Sequence, residues 1–322
     1  MNNHDTLWVE KYRPKTLNEI SAQKNVINIL KTALVCKNIP HLLFFGPSGC
    51  GKTSTILALA KEIFGIENYK DRLIEFNASD ERGINVIREK IKVYAKQAVK
   101  YIKNAPSWKI IILDEADTMT ADSQFALRRI MEQYSKITRF CIICNYHNKI
   151  IEPIISRCAL CRFKPMNQPD IIIKLRYISN CEQFKCSDKI LNKIIAICRG
   201  DLRKAINFLQ KCFNSYSDKI NEESLDEISG VIPSKNFNKL MEYVFIKDTH
   251  NVDLLINSFF LNGYSIVNQI LCFHNYIINS DIESSKKANI LCKLAEVDQN
   301  LIKGCDEYIQ YMRFVYYIMI II

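Results

Sequence analysis

The chain has 322 residues, 48% of them hydrophobic, enough for a sizeable core in two or three domains, which excludes wholesale disorder. Lys and Arg number 44 against 34 Asp and Glu, and this net charge of +10 suits a polyanionic partner without specifying one. Thirteen cysteines behind a polar start, MNNHDTLWVEKYRPK, with no apolar signal region, point to a reducing compartment rather than a secreted disulfide scaffold.

In chain order, residues 42–45 (LLFF) are a short apolar run ending at a glycine, as a buried parallel strand requires. Residues 73–76 (LIEF), 110–113 (IIIL) and 140–144 (FCIIC) read the same way. Helical spacing lies between them, most clearly over 84–103, where Ile84, Ile87, Ile91, Tyr94 and Ala98 recur at steps of three and four. Strands alternating with helices predict an α/β domain built on a parallel sheet covered on both faces. Beyond residue 165 only helical periodicity remains. Breaks at Pro165–Pro169 and Gly230–Pro233 divide the chain into 1–166, 167–232 and 233–322. The last nine residues, FVYYIMIII, are far short of the ~20 that span a bilayer and read as a buried terminal helix, so no membrane partner is expected.

Two motifs carry chemistry. Residues 46–53 read GPSGCGKT, a complete G-x-x-x-x-G-K-[ST] between a strand and a helix. Its glycines let successive backbone N–H groups turn inward on phosphates, and the helix N-terminus adds partial positive charge. Lys52 is placed to reach the β- and γ-phosphates, and the Thr53 hydroxyl to ligate Mg²⁺. The second motif, KIIILDEAD (109–117), delivers Asp114 and Glu115 to the C-terminal end of a buried strand, where ligands bind in such sheets. Asp114 is the expected Mg²⁺ partner. Glu115 is the expected group that orients and deprotonates the attacking water. Asp117 reads as a helix N-cap. The tetrad DEAD suggests an RNA helicase, but that reading needs a second sheet domain after residue 166, and the sequence shows only helices there.

Cys141, Cys144, Cys158 and Cys161 have the C-x-x-C spacing of a zinc site. In a strand such as FCIIC, residues three apart point to opposite faces, so one ion cannot take both sulfurs. No structural zinc is expected.

The surrounding segments resemble the AAA+ ATPases and, within them, the small subunits of replication factor C, the sliding-clamp loader. The likeness rests on LWVEKYRPKTLNEI (7–20), GPSGCGKTSTILALAKEIFG (46–65), EFNASDERGI (75–84), ILDEADTMT (112–120), ALRRIMEQYSKITRFCIICNYHNKIIEPIISRC (126–158) and GDLRKAINFLQ (200–210). GVIP (230–233) and KLAEVDQNLIKGCDEYIQ (293–310) look like the branch called subunit 4 in animals. The resemblance implies an AAA+ domain over 1–166, a helical lid over 167–232 and a helical collar for oligomerisation over 233–322.

It also implies roles. Val9, Tyr12, Arg13 and Pro14 would surround adenine. Gly46, Pro47, Ser48, Gly49, Cys50, Gly51, Lys52, Thr53 and Ser54 would hold the phosphates of ATP. Ser48 and Cys50 stand where the family often has Pro and Thr. Asn145 matches sensor 1, and Arg203 matches sensor 2 on the lid. Arg157, in ISRC, matches the arginine finger that serves a neighbouring subunit's γ-phosphate. Arg88, Lys92, Lys96 and Lys100 form a basic row at four-residue steps. The resemblance assigns Arg82 and Arg88 to DNA phosphates, with Lys149 a further contact, while Lys96 and Lys100 read as a solvated face. The implied protein is a nuclear ATPase subunit of a heteropentamer that opens the sliding clamp (PCNA in eukaryotes) and places it on primer–template DNA.

Overall fold

A computed structural model of the chain describes residues 6–20, 23–36, 38–78, 84–99, 106–184, 186–198, 200–216 and 222–322. It divides into two units, Met1–Gln210 and Lys211–Ile322.

In the first unit, α1 (Trp8–Lys11) and α2 (Lys24–Val35) precede the sheet. Strand β1 (His41–Phe45) leads into α3 (Lys52–Phe64) and the single turn α4 (Tyr69–Arg72). Strand β2 (Leu73–Asn77) is followed by α5 (Ile84–Lys96), β3 (Lys109–Asp114) by α6 (Ala121–Tyr134), and β4 (Thr138–Cys144) by α7 (Glu152–Ile155) and β5 (Cys158–Arg162). The strands form one sheet in the order β2-β3-β4-β1-β5, every pair parallel.

Period-two alternation assigns the strand residues to two cores. Leu42, Phe44, Ile110, Ile112, Cys141, Ile143 and Cys161 pack with Ile56, Leu59 and Phe64 of α3 on one face. Leu43, Ile111, Leu113, Ile142 and Cys144 pack on the other with Ile91 and Ala95 of α5 and Leu127 and Met131 of α6. Burial on both faces explains why these strands read as unbroken apolar runs. The four cysteines of the zinc-like spacing divide accordingly: Cys141 and Cys161 belong to the first core, Cys144 and Cys158 to the second. Among the described residues no cluster of His, Cys, Asp and Glu could hold a metal ion through three or more of them.

Three expectations need correction. The helix read over 84–103 ends at Lys96. The buried Lys109 ammonium reaches across from β3 and donates to the carbonyls of Tyr94 and of Gln97, the latter at 2.6 Å. A cation on those last carbonyls favours a stop there, in line with the helix dipole. Ala98 is consequently exposed, and Ala95 fills the apolar face instead. The second correction is β5, an edge strand that the sequence did not reveal. The third is Asp117, which sits inside a 3-10 turn, Ala116–Thr118, while Thr120 caps α6 by accepting from the Ser123 amide.

Beyond β5 only helices follow among the described residues: α8 (Gln168–Cys181), α9 (Asp188–Cys198) and α10 (Leu202–Tyr216). Pro169 sits in the first turn of α8, where its missing N–H costs nothing. The second unit adds α11 (Glu222–Ser229), α12 (Ser234–Ile246), α13 (Thr249–Leu261), α14 (Ile266–Asn279), α15 (Ser284–Ile302) and α16 (Glu307–Ile321). Phe273 is its hub, with ring centroids at 5.0 Å from Phe237, 5.8 Å from Tyr311 and 5.2 Å from Phe314, mostly edge to face. The apolar tail forms α16, whose Phe314, Val315, Ile318 and Met319 are buried in that core. Among the described residues no helix is long and apolar enough to cross a membrane. The expected class holds: a parallel-sheet domain, then helices.

Candidate active site

The central strands end side by side, and the site forms where they stop. After β1 the chain turns through Gly46–Gly51 into α3. Gly46 has no room for a side chain, since a Cβ there would lie 2.2 Å from the Phe163 carbonyl oxygen. Gly49 and Gly51 have φ of +70° and +91°, values that L side chains rarely adopt. The loop therefore needs its glycines, and the axis of α3 points its free N–H groups at the cavity.

Lys52 is only 8% exposed. Its ammonium donates to the carbonyls of Gly46 at 2.7 Å and Pro47 at 2.8 Å, and to Asn145 Oδ1 at 2.9 Å. One charge thus ties the loop to the end of β4. Gly46 and Pro47 act through these carbonyls and do not themselves line the cavity that Lys52 lines. Thr53 Oγ1 donates to Asp114 Oδ2 at 2.7 Å, linking α3 to the end of β3. The other carboxylate oxygen of Asp114 accepts from the Glu115 amide at 2.9 Å. Glu115 has φ +54° and ψ +36°, a left-handed conformation uncommon outside glycine, and its side chain is exposed beside Asp114. Two hard oxygen donors, a hydroxyl and a carboxylate, within hydrogen-bond reach of each other fit a Mg²⁺ ion between loop and strand.

The cavity over this loop is lined by Val9, Tyr12, Arg13, Pro14, Ser48, Gly49, Cys50, Gly51, Lys52, Thr53, Ser54, Asp114, Glu115, Asn145 and Arg203. Residues separated by almost two hundred positions meet there. Tyr12 is fixed on the lid side: its hydroxyl donates to Glu182 Oε1 at 2.5 Å, and its ring meets Tyr177 edge to face at 6.2 Å. Burial and the Glu182 carboxylate together push the phenol well above its ordinary range. Lys11 pairs with the same carboxylate at 2.7 Å. Arg13 pairs with Glu10 at 3.1 Å.

Sequence reading missed Glu19, Ile20, Cys144, Met166, Lys174, Leu202 and Ile206, which complete the lining. Leu202 and Ile206 lie within a helical turn of Arg203, so the lid motif itself contained that signal. Lys174 carried none; its position on α8 shows only in three dimensions. Burial lowers the Lys174 pKa, and the Glu19 carboxylate opposes that shift. Glu75 on β2 stands near Asp114 and Arg13, and burial first, then Asp114, raise its carboxyl.

The two cysteines of the cavity are inert by environment. Cys50 is buried and donates its thiol to the Pro47 carbonyl at 2.9 Å; burial raises its pKa. Burial pushes Cys144 up to about 12.

Arg157 lies outside this cavity, in the turn between α7 and β5. Its guanidinium donates to the Pro153 carbonyl at 2.6 Å and pairs with Glu132 of α6 at 2.5 Å. Arg128 also binds Glu132, and the two cations hold that carboxyl below its usual range. Lys149 is exposed in a 3-10 turn, its ammonium 5.5 Å from the Tyr146 ring centre. Lys92 and Lys96 are exposed on α5. Arg82, Lys100 and the side chain of Arg88 lie outside the described residues.

Three family patterns match the chain. The ATPase family associated with various cellular activities (AAA) covers residues 42–166, a RCF1/5-like AAA+ ATPase lid domain covers 174–213, and the replication factor C C-terminal domain covers 232–316. Replication factor C subunit 2 of Saccharomyces cerevisiae is 43% identical over 316 residues, spanning 94% of this chain and 90% of that protein. Replication factor C subunit 4 of Homo sapiens is 42% identical, over 94% of this chain and 85% of the relative. The replication factor C small subunit of Archaeoglobus fulgidus is 45% identical over 94% of each. Among solved structures, the Thermotoga maritima RuvB Holliday junction branch migration motor superposes with a TM-score of 0.54 at 17% identity, over 73% of this chain and 80% of that one. At that identity the likeness speaks for the fold alone.

Proposed function

This chain belongs to the replication factor C family of AAA+ ATPases, and from that premise we propose that it is the ATP-binding and hydrolysing subunit of a clamp loader. We assign residues 1–166 to the ATPase domain, 167–232 to the lid and 233–322 to the collar. Its work is to help open the PCNA ring and place it on primer–template DNA in the nucleus.

The observation that carries this reading is the hydrogen-bonded set Lys52–Asn145 and Thr53–Asp114, which locks loop, helix and two strand ends around one cavity. Lys52 trades its carbonyl partners for the β- and γ-phosphates. Asn145, already on Lys52, holds the γ-phosphate and the attacking water. Thr53 and Asp114 would hold Mg²⁺, which when bound would neutralise phosphate charge. Glu115 orients the water and takes its proton. Phosphoryl transfer is mostly positioning and charge stabilisation, so these fixed groups suffice for a slow reaction and need one more cation for a fast one.

Arg203 faces the same cavity from the lid and supplies charge in cis. Arg157 stands outside it and serves the nucleotide of the next subunit. Val9, Tyr12, Arg13 and Pro14 receive adenine. Arg82, Arg88 and Lys149 contact DNA phosphates, which give affinity and position without reading sequence. ATP favours the closed ring of subunits to the extent that it binds that arrangement more tightly. The test is Lys52→Ala in the assembled complex. ATP-dependent clamp loading is expected to vanish while the subunits still assemble; unchanged loading refutes the enzymatic role.

A further inference from the structure

We propose that Asp201 is a positioning residue: it seats the lid helix α10 on the phosphate loop and thereby sets where Arg203 stands over the nucleotide. The proposal rests on the reading of this cavity as the ATP site and adds to it the link between lid and loop.

Asp201 follows Gly200, whose φ of +82° turns the chain sharply into α10. One carboxylate oxygen, Oδ1, accepts from the Lys204 amide at 3.1 Å. That bond makes Asp201 the N-cap of α10 and fixes its side chain in the frame of the helix. The same carboxylate rests on the phosphate loop. A Cβ placed on Gly49 would come within 1.9 Å of Oδ1 and 2.4 Å of Cγ, so the carboxylate occupies the space that any side chain at 49 would fill. The second oxygen, Oδ2, accepts from the Ser48 hydroxyl at 3.4 Å. Contacts of this kind to a glycine Cα are weak singly, and their value lies in the fixed approach they impose.

Leu202, Arg203 and Ile206 line the cavity from the first two turns of the same helix. A capped helix is rigid over that distance, so whatever fixes Asp201 on Gly49 fixes the Arg203 backbone as well. One residue, Leu202, separates the loop contact from the cation. Movement of the phosphate loop as it closes on a polyphosphate is then passed to the lid through a single carboxylate. An ordinary N-cap would stabilise α10 without touching the loop, and would leave the nucleotide unaware of it.

The experiment is a double-mutant cycle in the full-length chain, read by equilibrium titration with fluorescent ATP and ADP analogues. Its members are Asp201→Ala, Arg203→Ala and the pair together. If Asp201 acts through Arg203, Asp201→Ala weakens ATP binding roughly tenfold, and in the Arg203→Ala background it weakens it less than about twofold further. Asp201→Asn keeps the cap through its one amide oxygen and can donate from Nδ2 to the Ser48 hydroxyl in place of accepting from it, so it holds affinity within about threefold of the unsubstituted chain. Undiminished ATP affinity in Asp201→Ala, or losses that simply multiply in the double variant, overturns the proposal. If Asp201→Ala does not fold, the cycle runs instead on Gly49→Ala with Asp201→Asn and Asp201→Gly. Relief of the Gly49→Ala defect by Asp201→Gly, and not by Asp201→Asn, is the expected result; equal defects in both backgrounds overturn the link. Failure of the unsubstituted chain to bind any nucleotide would sink the ATP-site reading itself, a result separable from either outcome of the cycle.

Discussion

His41 opens the strand that feeds the phosphate loop, and its protonation should weaken the first unit measurably in mild acid. Its Nδ1 accepts a hydrogen bond from the Phe140 amide at 3.1 Å, which requires the imidazole to be uncharged on that nitrogen. Burial, assisted by the neighbouring Arg139 cation, lowers its pKa from the ordinary 6.5 to about 4. The unfolded chain therefore binds a proton between those values that the folded chain refuses. Stability contributed by neutral His41 is complete above pH 6.5 and is lost progressively as the pH falls toward 4. Integrated from pH 7.5 to pH 5, the loss comes to about 2 kcal/mol. Urea denaturation of the full chain and of His41→Gln across that range measures it, since the variant lacks the titrating group and cancels the carboxylates common to both. The stability difference between the two should shrink by roughly that amount, about 2 kcal/mol, toward pH 5. Parallel curves would show that His41 is not held neutral and that the reasoning from its burial and its hydrogen bond is wrong.

Two other substitutions separate chemistry from scaffold. Glu115→Gln should retain ATP binding while the assembled complex loses hydrolysis by ~10²–10⁴, the range expected for removal of a general base; single-turnover assays would expose the error if the rate held. Phe273→Ala removes the hub of the second unit, a residue with no exposed surface, and should cost about 3–5 kcal/mol in chemical denaturation. A loss under ~1 kcal/mol would mean that the aromatic cluster does not carry that core.

The sheet was legible because its central strands, β1, β3 and β4, are buried on both faces and run into a glycine, an acid and an asparagine respectively. β5 was not, for the opposite reason. It pairs with β1 alone, and only Cys161 is buried within CALCR, so its residues showed a cysteine spacing rather than an apolar run. The extent of α5 was also hidden, because its end is set by a lysine thirteen residues beyond its last residue, acting from the strand β3. Of the site, the loop and β3 halves were plain from local motifs. Lys174, Met166 and Asp201 were not, because their place over the phosphate loop depends on how the lid folds back. Local sequence carries backbone demands well and distant side-chain encounters poorly.

The central claim is that ATP held between two subunits becomes labile only when the neighbouring subunit brings its arginine, the part proposed for Arg157 at the next site. The most direct measurement compares steady-state ATP hydrolysis by the isolated chain, by the complete clamp loader on primer–template DNA with PCNA, and by the same complex carrying Arg157→Ala. The account predicts a nearly idle isolated chain, an active complex, and a fall of ~10³ or more at the nucleotide that Arg157 faces. An isolated chain as fast as the complex, with Arg157→Ala silent in that complex, would contradict it.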